Sequence, residues 1–91
     1  MLFLFCYDIV DDGIRLKVAK LMEAYGARVQ KSVFECDLDR RQLNTVRKRA
    51  LKLIDLKSDS LRIYRLCASC AARIEHNGRK IEGLYDEAPI A

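Results

Sequence analysis

The chain opens on seven apolar or aromatic residues, Met1-Leu2-Phe3-Leu4-Phe5-Cys6-Tyr7, and the run stops at Asp8. Alternate side chains of a strand point to opposite faces, so a run of this kind needs cover on both faces. Asp11 and Asp12 come next and offer N-cap oxygens, with negative charge that suits the positive end of a helix dipole. Ile14, Val18, Leu21, Met22 and Tyr25 then recur at the spacing of one helical face, and Gly26 stands where a left-handed cap would close the helix. Residues 27–38 are rich in β-formers and contain neither Gly nor Pro. They read as extended, either one kinked strand or two short strands turning near Gln30-Lys31-Ser32.

Leu38-Asp39-Arg40-Arg41-Gln42-Leu43 has the form of a helix start, with Asp39 as N-cap, Gln42 at the capping-box position and Leu38 against Leu43 as a hydrophobic staple. Leu43, Val46, Ala50, Leu53 and Ile54 form the buried face of this second helix, and Arg41, Lys48 and Lys52 line its far side. Asp55 to Ser60 is turn-like, and Leu61 to Cys67 reads as a strand. A short β-segment around Arg73–His76, a turn at Asn77-Gly78 and another strand near Lys80–Gly83 are expected to follow. Residues 1–85 then make one domain, and the acidic stretch at 86–91 reads as a flexible tail. Strand, helix, extended segment, helix and strand in that order describe a small α/β or α+β domain with both helices on one face of a sheet. The first strand needs both its faces covered, so the open sheet face is expected to pack against a second copy of the chain.

Size and composition agree with a small folded unit: 91 residues, 51% hydrophobic and 33% charged. A domain of this size buries a modest fraction of its surface, which a partner subunit would increase. The apolar opening is far shorter than the roughly 20 residues of a membrane span and lacks the pattern of a secretory signal, so no membrane association and a cytoplasmic location are expected. The net charge of +4 conceals a segregation. Residues 27–80 carry 14 basic and 6 acidic side chains, whereas residues 81–91 carry 3 acidic and no basic ones. A basic body suits a polyanion, since each neutralised phosphate releases a counterion, and it equally describes a solvated basic surface.

Few residues are candidates for chemistry. Cys67-Ala68-Ser69-Cys70 has the spacing of half a zinc site or a redox pair, but no helix is expected to start directly after Cys67, and all four cysteines read as reduced, buried or half-buried small side chains. His76 is the single histidine, and the four glycines form no phosphate-binding loop. Asp11 and Asp12 are explained by capping. Asp8 is not, and it sits at a strand end, where side chains are rigidly held. One carboxylate is a poor site for Mg²⁺, which takes oxygen ligands and commonly uses one or two carboxylates with waters and substrate phosphate. A two-fold axis near the end of the first strand would supply the second carboxylate from a second copy.

Several separate stretches carry a resemblance: Tyr7-Asp8-Ile9-Val10-Asp11-Asp12, Arg15-Leu16-Lys17-Val18, Tyr25-Gly26-Ala27-Arg28-Val29-Gln30, Ser32-Val33-Phe34-Glu35-Cys36 and Asp59-Ser60-Leu61-Arg62-Ile63-Tyr64. Together, from residue 1 to about residue 70, they resemble the small CRISPR-associated adaptation proteins of the Cas2 family. The resemblance implies an α+β, ferredoxin-like βαββαβ sandwich, a homodimer packed through its sheets, and C-terminal segments that reach across to the partner. It implies a metal-dependent endonuclease of RNA or duplex DNA acting in spacer acquisition with the CRISPR integrase subunit. Asp8 matches the aspartate that binds catalytic Mg²⁺ in such proteins. Tyr7, Arg15, Lys17, Arg28 and Phe34 match the family's other positions for activity or substrate contact; Lys17 stands where arginine is often found, which keeps the charge but loses the bidentate fork. Two other functions are compatible with the same residues. One is a non-catalytic DNA-binding scaffold using Arg41, Lys48 and Lys52, and the other is a small regulatory or toxin-like dimer of the same architecture.

Overall fold

The structure, a computed structural model, describes residues 1–78. Its elements run β1 (Leu2–Asp8), α1 (Asp12–Glu23), β2 (Ala27–Gln30), β3 (Val33–Asp37), α2 (Arg40–Leu53), β4 (Ser60–Leu66) and a four-residue α3 (Ala68–Ala71). The four strands form one sheet in the order β2-β3-β1-β4, with every neighbouring pair antiparallel. This is the split βαβ arrangement of a ferredoxin-like fold: α1 carries the chain from β1 to β2 over the gap that β3 fills.

The opening run is an inner strand, as its composition demands. Phe3, Phe5 and Tyr7 point to the helix layer and are buried, and Leu2, Leu4 and Cys6 on the other face are half-buried. Phe5 pairs with Phe34 of β3 on one side and Ile63 of β4 on the other, so the sheet's inner face is apolar across three strands. Val18, Ala19 and Met22 of α1 and Val46 and Ala50 of α2 cover that face. The expected helical faces are therefore the observed ones, with Ile14, Leu21, Tyr25, Leu43, Leu53 and Ile54 packed at the margins. Among the described residues nothing covers the opposite face. Leu2, Leu4, Cys6, Val33, Tyr64 and Leu66 lie on it by strand register.

Both long helices start where the acids are. Asp11 accepts the Ile14 N–H at 2.8 Å, and Asp39 and Gln42 form the full reciprocal capping box at 2.8 and 3.0 Å. The extended segment resolves into two strands, β2 and β3, joined at Lys31-Ser32.

Four expectations fail. Gly26 is not a left-handed cap, because α1 closes at Ala24 with ordinary helical angles and Gly26 keeps a negative φ. Its role is close approach: a Cβ there would lie 2.2 Å from the Glu35 carbonyl oxygen and 2.5 Å from Cys36 Sγ. Residues Arg73–His76 do not form a strand. The Arg73 and Ile74 N–H groups bond back to the Cys70 and Ala71 carbonyls, so the turn after α3 consumes the donors a ladder would need. A helix does start directly after Cys67, whose extended angles make it the N-cap residue of α3, and Cys67 and Cys70 are exposed rather than buried. The strand near Lys80–Gly83, the domain limit at residue 85 and the tail at 86–91 fall outside the described residues.

Candidate functional site

Asp8 ends β1 opposite Ser60 of β4, and it is exposed. Alternation along β1 puts its side chain on the open face with Leu2, Leu4 and Cys6, and puts Tyr7 on the helix side. The candidate Mg²⁺ ligand is thus held by an inner strand at the rim of the apolar face. Arg62, opposite Cys6, shares that face, and the diagonal position across an antiparallel pair is roughly 7–8 Å away. Its guanidinium lies over the Tyr64 ring and donates to the Tyr64 hydroxyl at 3.1 Å.

The turn that follows Asp8 is fastened by Asp59. This carboxylate is 8% exposed, and it accepts the Val10 N–H at 3.0 Å and the Asp55 N–H at 2.9 Å, with the Ser58 hydroxyl at 3.3 Å. One side chain therefore ties the β1–α1 loop to the α2–β4 loop, immediately before Ser60 pairs with Asp8. The two backbone donors favour the carboxylate and hold the Asp59 pKa below its ordinary value. An open cavity of about 550 Å³ beside this junction is lined by Asp11, Asp12, Asp55 and Asp59 among others. Asp11, Asp55 and Asp59 already accept backbone N–H groups, which identifies them as loop-forming acids.

Tyr7, Arg15, Arg28 and Phe34 come together on the helix side of the sheet. Phe34 is fully buried at the centre of β3, its ring stacks on Tyr7 with centroids 6.3 Å apart, and the Arg28 guanidinium lies 5.1 Å from its centroid. Arg15 pairs with Asp12 one turn back and adds positive charge near the Tyr7 hydroxyl. Burial raises the Tyr7 pKa, and the nearby Arg28 and Arg15 charges offset part of that rise. The Tyr7 hydroxyl and the Nε atoms of Arg15 and Arg28 are buried without a hydrogen bond of normal geometry. This cluster is separated from the Asp8 carboxylate by the thickness of the sheet.

Lys17 is exposed on α1, away from this cluster. Arg41 and Lys48 line a second open cavity, of about 560 Å³, on the outer side of α2 together with Arg40, Asn44 and Thr45, and Lys52 is exposed one turn further on. The candidates therefore fall into four places: Asp8 on the open sheet face, Tyr7 with Phe34, Arg15 and Arg28 inside the sandwich, Lys17 on the exposed side of α1, and a basic stripe on α2.

The chain matches the family described as CRISPR associated protein Cas2 over residues 1–74. It belongs to the Cas2 family. It is 54% identical over 76 residues to a Chloroflexus aurantiacus protein named CRISPR-associated endoribonuclease Cas2 1, covering 82% of each chain. A solved Streptococcus pyogenes Cas2 superimposes with a TM-score of 0.77 at 36% identity, covering 86% of this chain and all of that one. A chain of a structure described as a partial Cas6-RT-Cas1–Cas2 complex superimposes with a TM-score of 0.62 at 30% identity, covering 91% and 92% of the two chains. The Cas2 fold expected from the motifs is thus the fold observed.

Metal fit follows from the donor set. The Asp8 carboxylate is the hard oxygen ligand that Mg²⁺ takes, but among the described residues no group of three or more His, Cys, Asp or Glu is placed to hold a metal ion. Asp8 supplies one such ligand from each chain. Ligand type fits the ion, and ligand number fits when a second chain brings its own Asp8 to the same rim.

Asp59 and Arg62 belong to a stretch that carries the family resemblance, but the sequence singled out neither as a site residue. Arg62 needed the β1–β4 register to place it beside Asp8. Asp59, an acid followed by serine at the entry to a strand, had the composition of a turn residue, and only the structure shows that it reaches back across 49 positions to Val10.

Proposed function

We propose that the chain is a phosphodiester-cleaving nuclease of CRISPR adaptation that works as a homodimer, with Asp8 of each copy facing its mate across the open sheet faces. The observation that carries this reading is the phase of β1: the strand places its one free carboxylate on the same face as Leu2, Leu4 and Cys6. Covering that apolar face with a second copy is what brings the two carboxylates to one rim. Burial of an apolar side chain is worth about 1.5–3 kcal/mol, so the half-buried residues of the open face favour such pairing. The pair of Asp8 carboxylates would hold Mg²⁺ with waters and substrate phosphate. When bound, the ion supplies Lewis-acid stabilisation of the developing phosphoryl charge and a more acidic water. Arg62, on the same face, is placed to bind a phosphate beside Asp8. Arg15 and Arg28 add positive charge on the other side of the sheet, and Lys17 adds a further charge on the exposed face of α1. Tyr7 and Phe34 hold β1 against β3 and do not touch the substrate.

Asp8→Ala and Asp8→Asn test the reading. Cleavage of single-stranded RNA and of duplex DNA is followed with and without Mg²⁺, and mass by light scattering. Mg²⁺-dependent cleavage should disappear in both variants while the dimer persists. Undiminished cleavage would sink the proposal.

A second reading has its own observation. The α2 stripe of Arg41, Lys48 and Lys52, with its basic cavity, lies on the helix side, remote from Asp8, and fits duplex phosphates in a dimer that bridges integrase subunits without cutting. The described Cas1–Cas2 complex supports such an assembly. Normal spacer acquisition by the Asp8→Ala variant would favour the scaffold over the nuclease.

A further inference from the structure

Two thiols sit where the chain leaves the sheet. Cys67 follows Leu66, the last residue of β4, and Cys70 lies three positions on in α3. Both are exposed. The Ala71 N–H bonds to the Cys67 carbonyl at 2.9 Å, so a closed backbone turn already spans the pair. Cys67 Sγ is 3.2 Å from Ser69 Oγ.

The other two cysteines are placed quite differently. Cys36 is fully buried in the sandwich, where burial and the neighbouring Glu35 push its thiol up to about 11. Cys6 is half-buried on the open sheet face. At Cys67 the surrounding donors act in the opposite sense: hydrogen bonds from Ser69 and Cys70 bring the thiol down to about 7. The Cys70 thiol is held up by the Cys67 sulfur beside it. Both thiols are exposed on one closed turn, three residues apart, with a serine hydroxyl against the first, and the surroundings favour the thiolate at Cys67 over that at Cys70, which is the division of labour that thiol–disulfide exchange requires.

We infer that Cys67 and Cys70 form a reversible dithiol–disulfide site, with Cys67 as the attacking thiolate, Cys70 as the resolving thiol and a small soluble disulfide as the oxidant. Cys67 Sγ attacks one sulfur of the oxidant, forms a mixed disulfide and expels the first small thiolate. Cys70 then loses its proton, attacks Cys67 Sγ and expels the second small thiolate, which takes up a proton. The protein gives up two electrons and two protons, and the small disulfide becomes two thiols. Residues three apart on a helical turn carry Cβ atoms about 5–6 Å apart, and a disulfide needs about 3.5–4.5 Å, so closure tightens this turn. Oxidation thereby fixes the course of the chain as it leaves β4, next to Leu66 on the open face.

The test uses the full-length protein equilibrated in glutathione buffers of increasing disulfide fraction at pH 7.5, with free thiols alkylated and the peptides mapped by mass spectrometry. A Cys67–Cys70 linkage should accumulate as the buffer becomes more oxidising, while Cys6 and Cys36 remain thiols. Cys70→Ser should stop at a glutathione adduct on Cys67. At pH 7 the larger thiolate fraction of Cys67 outweighs its lower nucleophilicity, so it should react with iodoacetamide about three- to fourfold faster than an unperturbed thiol. Failure of the linkage to form at any buffer ratio would overturn the inference. Links between chains in place of the internal bond would overturn it as well, and so would a Cys70→Ser variant that carries no adduct.

Discussion

Phe34 separates packing from chemistry. Its ring is fully buried between Tyr7 and the Arg28 guanidinium, in the middle of β3 and on the side of the sheet away from Asp8. Removing the ring with Phe34→Ala forfeits about 3–5 kcal/mol of burial and cavity energy, and the Arg28 contact adds about 0.5–1 kcal/mol. A chain of this size has a stability of about 5–14 kcal/mol at the usual 0.05–0.15 kcal/mol per residue. The alanine variant should therefore be close to unfolding. Phe34→Leu keeps most of the apolar volume and should cost roughly 1–2 kcal/mol, lowering the melting temperature by about 4–8 °C per kcal/mol. Urea unfolding followed by circular dichroism gives the stability, and cleavage is measured in parallel per folded molecule. Leucine should retain cleavage within about threefold. A Phe34→Leu variant that is stable to within 2 kcal/mol of the parent but cleaves 100-fold more slowly, a barrier increase of about 2.7 kcal/mol, would refute the assignment and place the ring at the reacting groups.

Gly26→Ala should destabilise by at least about 1–3 kcal/mol, because its Cβ meets the Glu35 backbone at 2.2 Å; Gly13→Ala, whose Cβ would lie 3.2 Å from the Asp11 oxygen that caps Ile14, should stay within about 1 kcal/mol of the parent in the same urea titration, since the gain in helix propensity is offset by the disturbed cap. Asp39→Ala should lose about 1 kcal/mol by removing the α2 cap. Asp59 has a depressed folded-state pKa, so its contribution is present above the unfolded value of 3.8 and is lost as pH falls through the still lower folded value. The Val10 and Asp55 amide proton shifts should titrate together below pH 3.8 by NMR, and Asp59→Asn should abolish that titration; midpoints above 3.8 would contradict the bonding described.

Local patterns translated faithfully into local structure. The Asp39–Gln42 box, the Asp11 cap and the apolar spacings of α1 and α2 are short-range rules, and each element stands where its residues placed it. The inner position of β1 was legible too, since seven unbroken apolar or aromatic residues do not suit an exposed edge. What failed depended on contacts distant in sequence or on a competing local bond. Gly26 looked like a cap because glycine after a helix usually is one; its true constraint is β3, nine residues further on. Residues 73–76 had strand composition, but the turn after α3 claimed their donors. Of the site, Asp8 was legible as an acid without a capping role, whereas the separation of Asp8 from Tyr7 and Phe34 required the strand phase. Neighbours in sequence point to opposite sides of a sheet, so adjacency in a motif does not make a shared site.

That separation has a consequence for substrates. The sheet acts as a partition between an acidic rim and a basic helix, so a short oligonucleotide seated at Asp8 cannot also reach Arg41, Lys48 and Lys52. Only a polymer long enough to pass around an edge of the domain engages both. Charge removal on α2 should leave turnover of the shortest cleavable fragments untouched while weakening the grip on long ones, so that substrate length itself reports which side of the partition is in use.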